Sequence, residues 1–415
     1  MKTAENVQRP NAEQVHQTFE EFVVPSYARF DLVLERGDGS YVWDVDGKRY
    51  LDLAAGIAVC SLGHAHPEIT KALTEQSRKL IHVSNLYYNE LQGRLAKQIV
   101  DRIAPGRAFF CNSGAEANEG LFKFARKFGH DASRFEIITT DDSFHGRTLA
   151  GIAATGQEKV KKGFEPPVEG FKQVPFNDLE AMRGAITPKT AAILIEPVQG
   201  ESGITIASPQ YLLGLRKLCD ERNLLLLFDE VQAGHFRTGR FQSWQRILED
   251  ENVDFLPDAV SMAKSLGGGF PIGAFWVRER FANVLSAGTH ATTFGGTPLA
   301  CAVALKIFDV IERGNLVKSA RDTGDFLLRE LQTVQQRFPK AVKAVRGLGL
   351  MIGIEFQPQF KAVEIVKELH KRNLLTVPAG NSVIRLLPAL NLSCGEAEEG
   401  LEIVEKLVVD LASQK

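Results

Sequence analysis

The chain has 415 residues, 44% of them hydrophobic and 24% charged, with 49 basic against 51 acidic side chains for a net charge of -2. That length exceeds what one hydrophobic core usually supports, so a large domain with a smaller one is expected. Balanced, scattered charge lacks the basic footprint of a nucleic-acid binder, and no segment has the unbroken apolar length of a membrane span. Residues 1–10 are polar, without the apolar stretch of a secretory signal, and a cytoplasmic protein is expected. Cys60, Cys111, Cys219, Cys301 and Cys394 are odd in number, far apart and without CxxC spacing, which suits reduced thiols and gives no metal site.

In chain order, the first elements are β-rich. Two alternating runs flank the Asp46-Gly47 pair, a hairpin signal. Strand-length apolar runs follow at 108–111, 136–139, 191–195, 224–228 and 259–262, with helix-patterned stretches between, such as 116–128 and 209–221. This alternation predicts an α/β fold whose sheet is mostly parallel and covered by helices on both faces. Beyond Pro298 come two long amphipathic helices, 299–313 and 316–337. A strand at 349–356, a helix at 361–372, strands near Leu375 and Ile384 and a final helix from Glu396 make a smaller α+β unit. The expected division is 1–68 as an N-terminal segment belonging to the small domain, 69–300 as the large domain, and 301–415 as the C-terminal small domain.

The polar residues at the ends of these strands suggest chemistry. Run 108–111 leads into Asn112-Ser113-Gly114-Ala115-Glu116, where free N–H groups at a helix start can hold an anion. The same residues also read as a Ser113 N-cap with Glu116 as its capping-box partner, and locally both readings stand. Asp229-Glu230 closes the run 224–228 at the strand end where open α/β sheets bind ligands, although such a pair can simply cap a turn. Lys264 follows the apolar stretch 259–263 and precedes three glycines, a setting that disfavours its charged form. An amine closing one strand and a carboxylate closing another is the arrangement pyridoxal phosphate requires, the amine for covalent capture and the anion for the ring nitrogen. Gln232 can then bond the ring hydroxyl and Val231 can pack on the ring face. His64 and His66 have no third ligand at a suitable spacing and fit a turn better than a metal.

From about Asp31 to the end, the chain resembles the class III (subgroup II) pyridoxal-phosphate aminotransferases of fold type I. The likeness rests on Gly56-Ile-Ala-Val-Cys60-Ser-Leu-Gly-His64-Ala-His66-Pro67, Phe110-Cys-Asn-Ser-Gly-Ala-Glu-Ala-Asn118, Glu196-Pro-Val-Gln199-Gly-Glu201, Phe228-Asp-Glu-Val-Gln232, Lys264 and Thr293-Phe-Gly-Gly. Ser84-Asn-Leu-Tyr-Tyr88 and Phe144-His-Gly-Arg147-Thr148 point to the acetylornithine branch of that class. The resemblance implies that Lys264 carries the cofactor, Asp229 binds its ring nitrogen and Gln232 its ring oxygen. It further implies that Ser113, Gly114 and Ala115 hold the phosphate and that Phe144 stacks on the ring.

Thr293, by the same resemblance, would reach the phosphate of a neighbouring subunit, implying a homodimer. Arg147 would bind the α-carboxylate of the substrate. Glu201 would neutralise Arg385 while the long amine donor is bound, then swing away so that Arg385 clamps a dicarboxylate. The implied activity is transfer of the terminal amino group of an N-acylated ornithine-type donor to 2-oxoglutarate. Ornithine, 4-aminobutyrate or succinylornithine are alternative donors, and a non-catalytic cofactor-binding protein is the non-enzyme alternative. The chain departs from the family pattern at Cys60, where the acetylornithine branch has Asn, and at Ala233, His235 and Phe236, where the family more often has Thr, Ile and Gly. Phe236 in place of glycine is expected to stiffen or narrow the entry loop.

Overall fold

The computed structural model describes residues 10–413. Residues 1–9, which carry nearly all of the expectation about a signal segment, lie outside it, as do 414 and 415. Seven strands form the central sheet, in the spatial order Gly106–Cys111, Gly273–Arg278, Ala259–Met262, Leu225–Asp229, Thr190–Ile195, Glu136–Thr140 and Phe171–Val174. The five from Ala259–Met262 onward run parallel, and Gly273–Arg278 is antiparallel to both its neighbours. Every residue of the three central strands is buried, as a sheet covered on both faces demands, and so they read as unbroken apolar runs. Removing a fully buried side chain from this layer, as in Leu226→Ala, costs about 2–5 kcal/mol.

The C-terminal part holds a four-stranded antiparallel sheet, in the order Val342–Gly347, Ile352–Phe356, Val383–Leu386 and Val377–Ala379. Helices Leu316–Arg337, Ala362–Lys371 and Cys394–Ser413 accompany it. The N-terminal meander Leu34–Asp38, Tyr41–Asp44 and Arg49–Asp52 turns at Gly47 (φ 81°), and Asp44 Oδ1 accepts from the N–H groups of Asp46 and Lys48. Its last strand pairs in parallel with Leu374–Leu375, so the beginning of the chain shares a sheet with residues near its end.

The strand expected at 349–356 starts only at Ile352. Gly349 turns with φ 57° against the backbone of Thr238, where a Cβ would lie 2.7 Å from the Thr238 carbonyl carbon. Helices Ala12–Phe22, Pro67–Ser77 and Glu90–Ile103 are additions to the sequence reading, as are strands Phe171–Val174 and Gly273–Arg278. Among the described residues no helix is long and apolar enough to cross a membrane.

Candidate active site

The carboxyl ends of the parallel strands surround a cavity of about 400 Å³, lined by residues that follow five of the seven strands. Ser113, Gly114, Ala115, Phe144, Arg147, Asp229, Val231, Gln232 and Lys264 all line it. Helix Gly114–Gly129 begins at this wall, and the N–H groups of its first turn have no intrahelical partner, a geometry that suits an anion. Ser113 Oγ accepts from the Glu116 N–H at 3.2 Å while Glu116 accepts from the Asn112 N–H at 2.6 Å. Ser113 is therefore the N-cap, but Glu116 closes on the Asn112 N–H rather than on that of Ser113, so the expected reciprocal capping box does not form. Gly114 faces Val231, and a Cβ there would lie 2.7 Å from Val231 Cγ1.

The acidic pair divides its labour. Asp229 is buried facing the cavity: its Oδ2 meets Asn118 Nδ2 at 2.7 Å and His145 Nδ1 at 2.8 Å, and its Oδ1 accepts from the Val231 N–H at 3.1 Å. Asn118 is itself fixed, since its Oδ1 accepts from Ser261 Oγ at 2.6 Å and its Nδ2 donates to the His145 carbonyl at 3.0 Å. Glu230 turns away and accepts from the Ser243 N–H and hydroxyl and from the Trp244 N–H, capping the short helix Ser243–Ile247. Burial pushes Glu230 up to about 7, against those hydrogen bonds. One carboxyl of the pair is the turn cap, and the other faces the cavity.

Lys264 follows strand Ala259–Met262 with φ 43°, a left-handed backbone that is costly for a side chain with a Cβ. Burial pushes its amine down to about 8, with Glu201 opposing that shift. Glu196, another lining residue, is pushed well above the ordinary carboxylate range by burial and by nearby Asp229. Its Oε2 accepts from the Phe144 N–H at 2.9 Å, which pins the backbone of that aromatic residue. The Arg147 guanidinium lies 5.4 Å from the Phe144 ring centroid, so cation and ring occupy one wall.

Next to this cavity, Arg385 is almost wholly buried on the antiparallel sheet and grips Glu201 with both Nη atoms, at 2.7 and 3.1 Å. Gln232 joins them: its Nε2 donates to Glu201 Oε1 at 3.0 Å and its Oε1 accepts from Arg385 at 3.1 Å. Partial burial resists ionisation of Glu201, yet the Arg385 guanidinium holds its carboxyl down to about 2. Gly200 makes room for this cluster, since a Cβ there would meet Gln232 Oε1 at 2.1 Å.

Thr293 stands apart from the cavity lining and is exposed. His64 pairs with Asp52 at 2.7 Å, and His66 sits at the start of helix Pro67–Ser77. Cys60 is partly buried beyond the cavity wall, near Gly269, and burial pushes its thiol up to about 11. Phe236 does not narrow the cavity. It packs against Phe241 and Phe308, away from the lining residues. The residues without an assigned role in the sequence reading are Asn118, His145 and Glu196. Each lies inside a quoted motif, but its partner is distant in the chain, 111 residues away for Asn118 and Asp229.

Known proteins resemble this chain in sequence and fold. Residues 23–408 match the family model described as Aminotransferase class-III. An acetylornithine aminotransferase of Gloeobacter violaceus is 48% identical over 394 residues, covering 94% of this chain and 96% of the relative. A succinylornithine transaminase/acetylornithine aminotransferase of Pseudomonas aeruginosa is 43% identical over 407 residues, with 97% and 98% covered. Among solved structures, an ornithine aminotransferase from Toxoplasma gondii with partial occupancy of pyridoxal phosphate at its active site superposes with a TM-score of 0.91. It is 29% identical, with 97% of this chain and 96% of that one covered.

Proposed function

Because the chain belongs to the class-III aminotransferase family, we propose that it uses pyridoxal phosphate to move the terminal amino group of N-acetylornithine to 2-oxoglutarate, leaving glutamate and a semialdehyde. The observation that carries this reading is the pairing of a deprotonatable Lys264 with a firmly held Asp229 in one cavity. The residues fit the cofactor: a helix start for its phosphate, a fixed carboxylate for its ring nitrogen, Val231 and Phe144 for its faces, and an amine for its carbonyl. When bound, pyridoxal phosphate supplies a carbonyl that takes up an amino group and a ring that accepts the electron pair left when a proton leaves the donor carbon. Lys264 holds the cofactor at rest and, once displaced by the donor amine, moves that proton with its Nζ. Asp229 keeps the ring nitrogen protonated, and Asn118 and His145 orient the carboxylate that does so.

Arg147 receives the α-carboxylate of the donor as a planar cation matched to two oxygens. Glu201 masks Arg385 during the amine half-reaction and must release it for the dicarboxylate. The bidentate grip and the contact with Gln232 support this latch, since Gln232 follows the cofactor-binding strand.

The proposal includes a homodimer in which Thr293 reaches the neighbouring cofactor. What supports it is an exposed apolar surface around Thr293. Leu86, Tyr87, Tyr88 and Phe294 are all largely exposed, and Asn85 ties the two segments by donating to the Gly295 carbonyl at 3.0 Å. The division into 1–68 with 301–415 and 69–300 belongs to the same proposal, supported by the pairing of Leu374–Leu375 with Arg49–Asp52. A cytoplasmic location also belongs to it, supported by five free cysteines.

Single-turnover absorbance of the cofactor-loaded enzyme with N-acetylornithine, ornithine, succinylornithine and 4-aminobutyrate tests the donor. The fastest bleaching of the visible band is expected with N-acetylornithine. Faster reaction with unacylated ornithine or 4-aminobutyrate would reassign the donor, and no bleaching with any of them would leave a non-catalytic binder.

A further inference from the structure

A second cavity, of about 470 Å³, is lined by Phe236, Arg240 and Phe241, by Arg102 near the end of helix Glu90–Ile103 and by Val317 at the start of helix Leu316–Arg337, while Gln232 of the same 232–241 segment lines the catalytic cleft. Phe236, Phe241, Trp244 and Phe255 form its buried aromatic walls, and Val253 stands exposed at its rim. Its charged lining residues are Arg102 and Arg240, with no acidic side chain among the lining. Arg102 is matched by Glu312 outside the cavity. Arg240, Arg246 and Arg321 all converge on the single carboxylate of Glu249. Three guanidinium groups thus share one carboxylate at the mouth of an aromatic pocket, and Asp250, Glu251 and Asp254 follow it in the chain beside the rim residue Val253. The Trp244 indole N–H also has no hydrogen-bond partner among the described residues.

The segment between the two cavities is under strain. His235 and Phe236 both adopt left-handed backbone, with φ 54° and 68°, and both are buried. Gln232, three residues before His235, holds the Glu201–Arg385 latch, while Phe236 and Phe241 form walls of the second cavity. A change in wall packing therefore has a short covalent path to the latch.

We propose that this cavity is a second ligand site, for a small monocarboxylate with an aromatic or branched apolar body, and that its occupancy is felt at the Gln232–Glu201–Arg385 latch. The apolar body fills the aromatic walls, and the carboxylate meets the Arg240 guanidinium, which lines the cavity and shares Glu249 with two other arginines. A dicarboxylate without an apolar body lacks the first contribution, and an amine of the same shape meets repulsion.

Isothermal titration of the cofactor-loaded enzyme with 3-phenylpropionate, and with 3-phenylpropylamine as its charge-reversed counterpart, tests the site. Saturable binding of the acid and none of the amine is expected. Arg240→Gln should weaken the acid at least threefold. Val253→Trp, which fills the exposed rim, should abolish its binding, while cofactor absorbance and kcat stay at wild-type values to show an intact fold. Arg147→Ala should leave the affinity unchanged, because the catalytic carboxylate site is not the one being filled. In wild type, saturating 3-phenylpropionate should shift the donor KM at least twofold, and that shift should vanish in Val253→Trp. Absent binding to wild type, equal binding of the amine, or binding that survives Val253→Trp and disappears in Arg147→Ala would overturn the site. Binding with an unchanged KM would overturn its connection to the latch.

Discussion

The cluster around Asp229 and the Glu201–Arg385 pair, proposed as the cofactor wall and the substrate latch, are both polar and largely buried, but they are held by opposite means. Asp229 is positioned by Asn118, His145 and a backbone N–H, in a chain continued by Ser261. None of these partners carries a long flexible cation, and the site has one arrangement. Glu201 and Arg385 hold each other by opposite charge, and Glu201 keeps partial access to solvent while Arg385 is almost wholly buried. Breaking that pair exposes one mobile carboxylate and leaves a fixed guanidinium ready for another anion. Electrostatic preorganisation belongs where the same bond is made in both half-reactions, and a displaceable ion pair belongs where two substrates alternate.

Mutations can break this contrast, beginning with the largest effect. Lys264→Ala removes the proton carrier and should lower turnover by at least about 10³-fold, measured by glutamate formation. Asp229→Ala removes the ring anion and should cost about 10²- to 10³-fold in kcat, with a smaller change in donor affinity, read from steady-state kinetics. Asn118→Ala tests the fixed wall itself. The loss of one hydrogen bond to a carboxylate predicts a drop of about tenfold or more in both half-reactions equally. Glu201→Ala should behave differently, with the amine half-reaction slowed about tenfold and the glutamate half-reaction kept within about twofold, because Arg385 is then open to dicarboxylates. Equal loss in both half-reactions for Glu201→Ala would erase the distinction between wall and latch.

A smaller effect concerns stability. Burial pushes His235 down to about 3, and neither of its ring nitrogens has a hydrogen-bond partner among the described residues. The unfolded chain takes up a proton on this residue below about pH 6.5 while the folded protein does not, so stability falls as pH drops through that range toward about 3. Between pH 7 and pH 5 the His235 contribution to this loss is about 2 kcal/mol. Urea unfolding of wild type and His235→Met at the two pH values should show that difference only in wild type.

Much of this was legible in the chain because parallel strands buried on both faces announce themselves. The run 224–228 became Leu225–Asp229, and its acidic end marked the site. Strand Phe171–Val174 escaped notice because it is the sheet edge and alternates in burial, leaving no continuous apolar run. Gly273–Arg278 escaped because a proline and three glycines precede it, a stretch that reads as loop. Helix Ala12–Phe22 carried a readable signal in the reciprocal Asn11–Gln14 capping box. The supporting residues Asn118, His145 and Glu196 were visible as letters but not as partners. A buried hydrogen bond between residues 111 apart is a property of the folded sheet, and no local periodicity encodes it.

The central claim is that Lys264 is the amine that captures the cofactor, opposite Asp229. Borohydride reduction of the pyridoxal-phosphate-loaded enzyme, followed by proteolysis and mass spectrometry, tests it most directly. A single pyridoxyl-modified peptide containing Lys264 is predicted, absent from the Lys264→Ala protein. Modification of another lysine, or of none, would contradict the account.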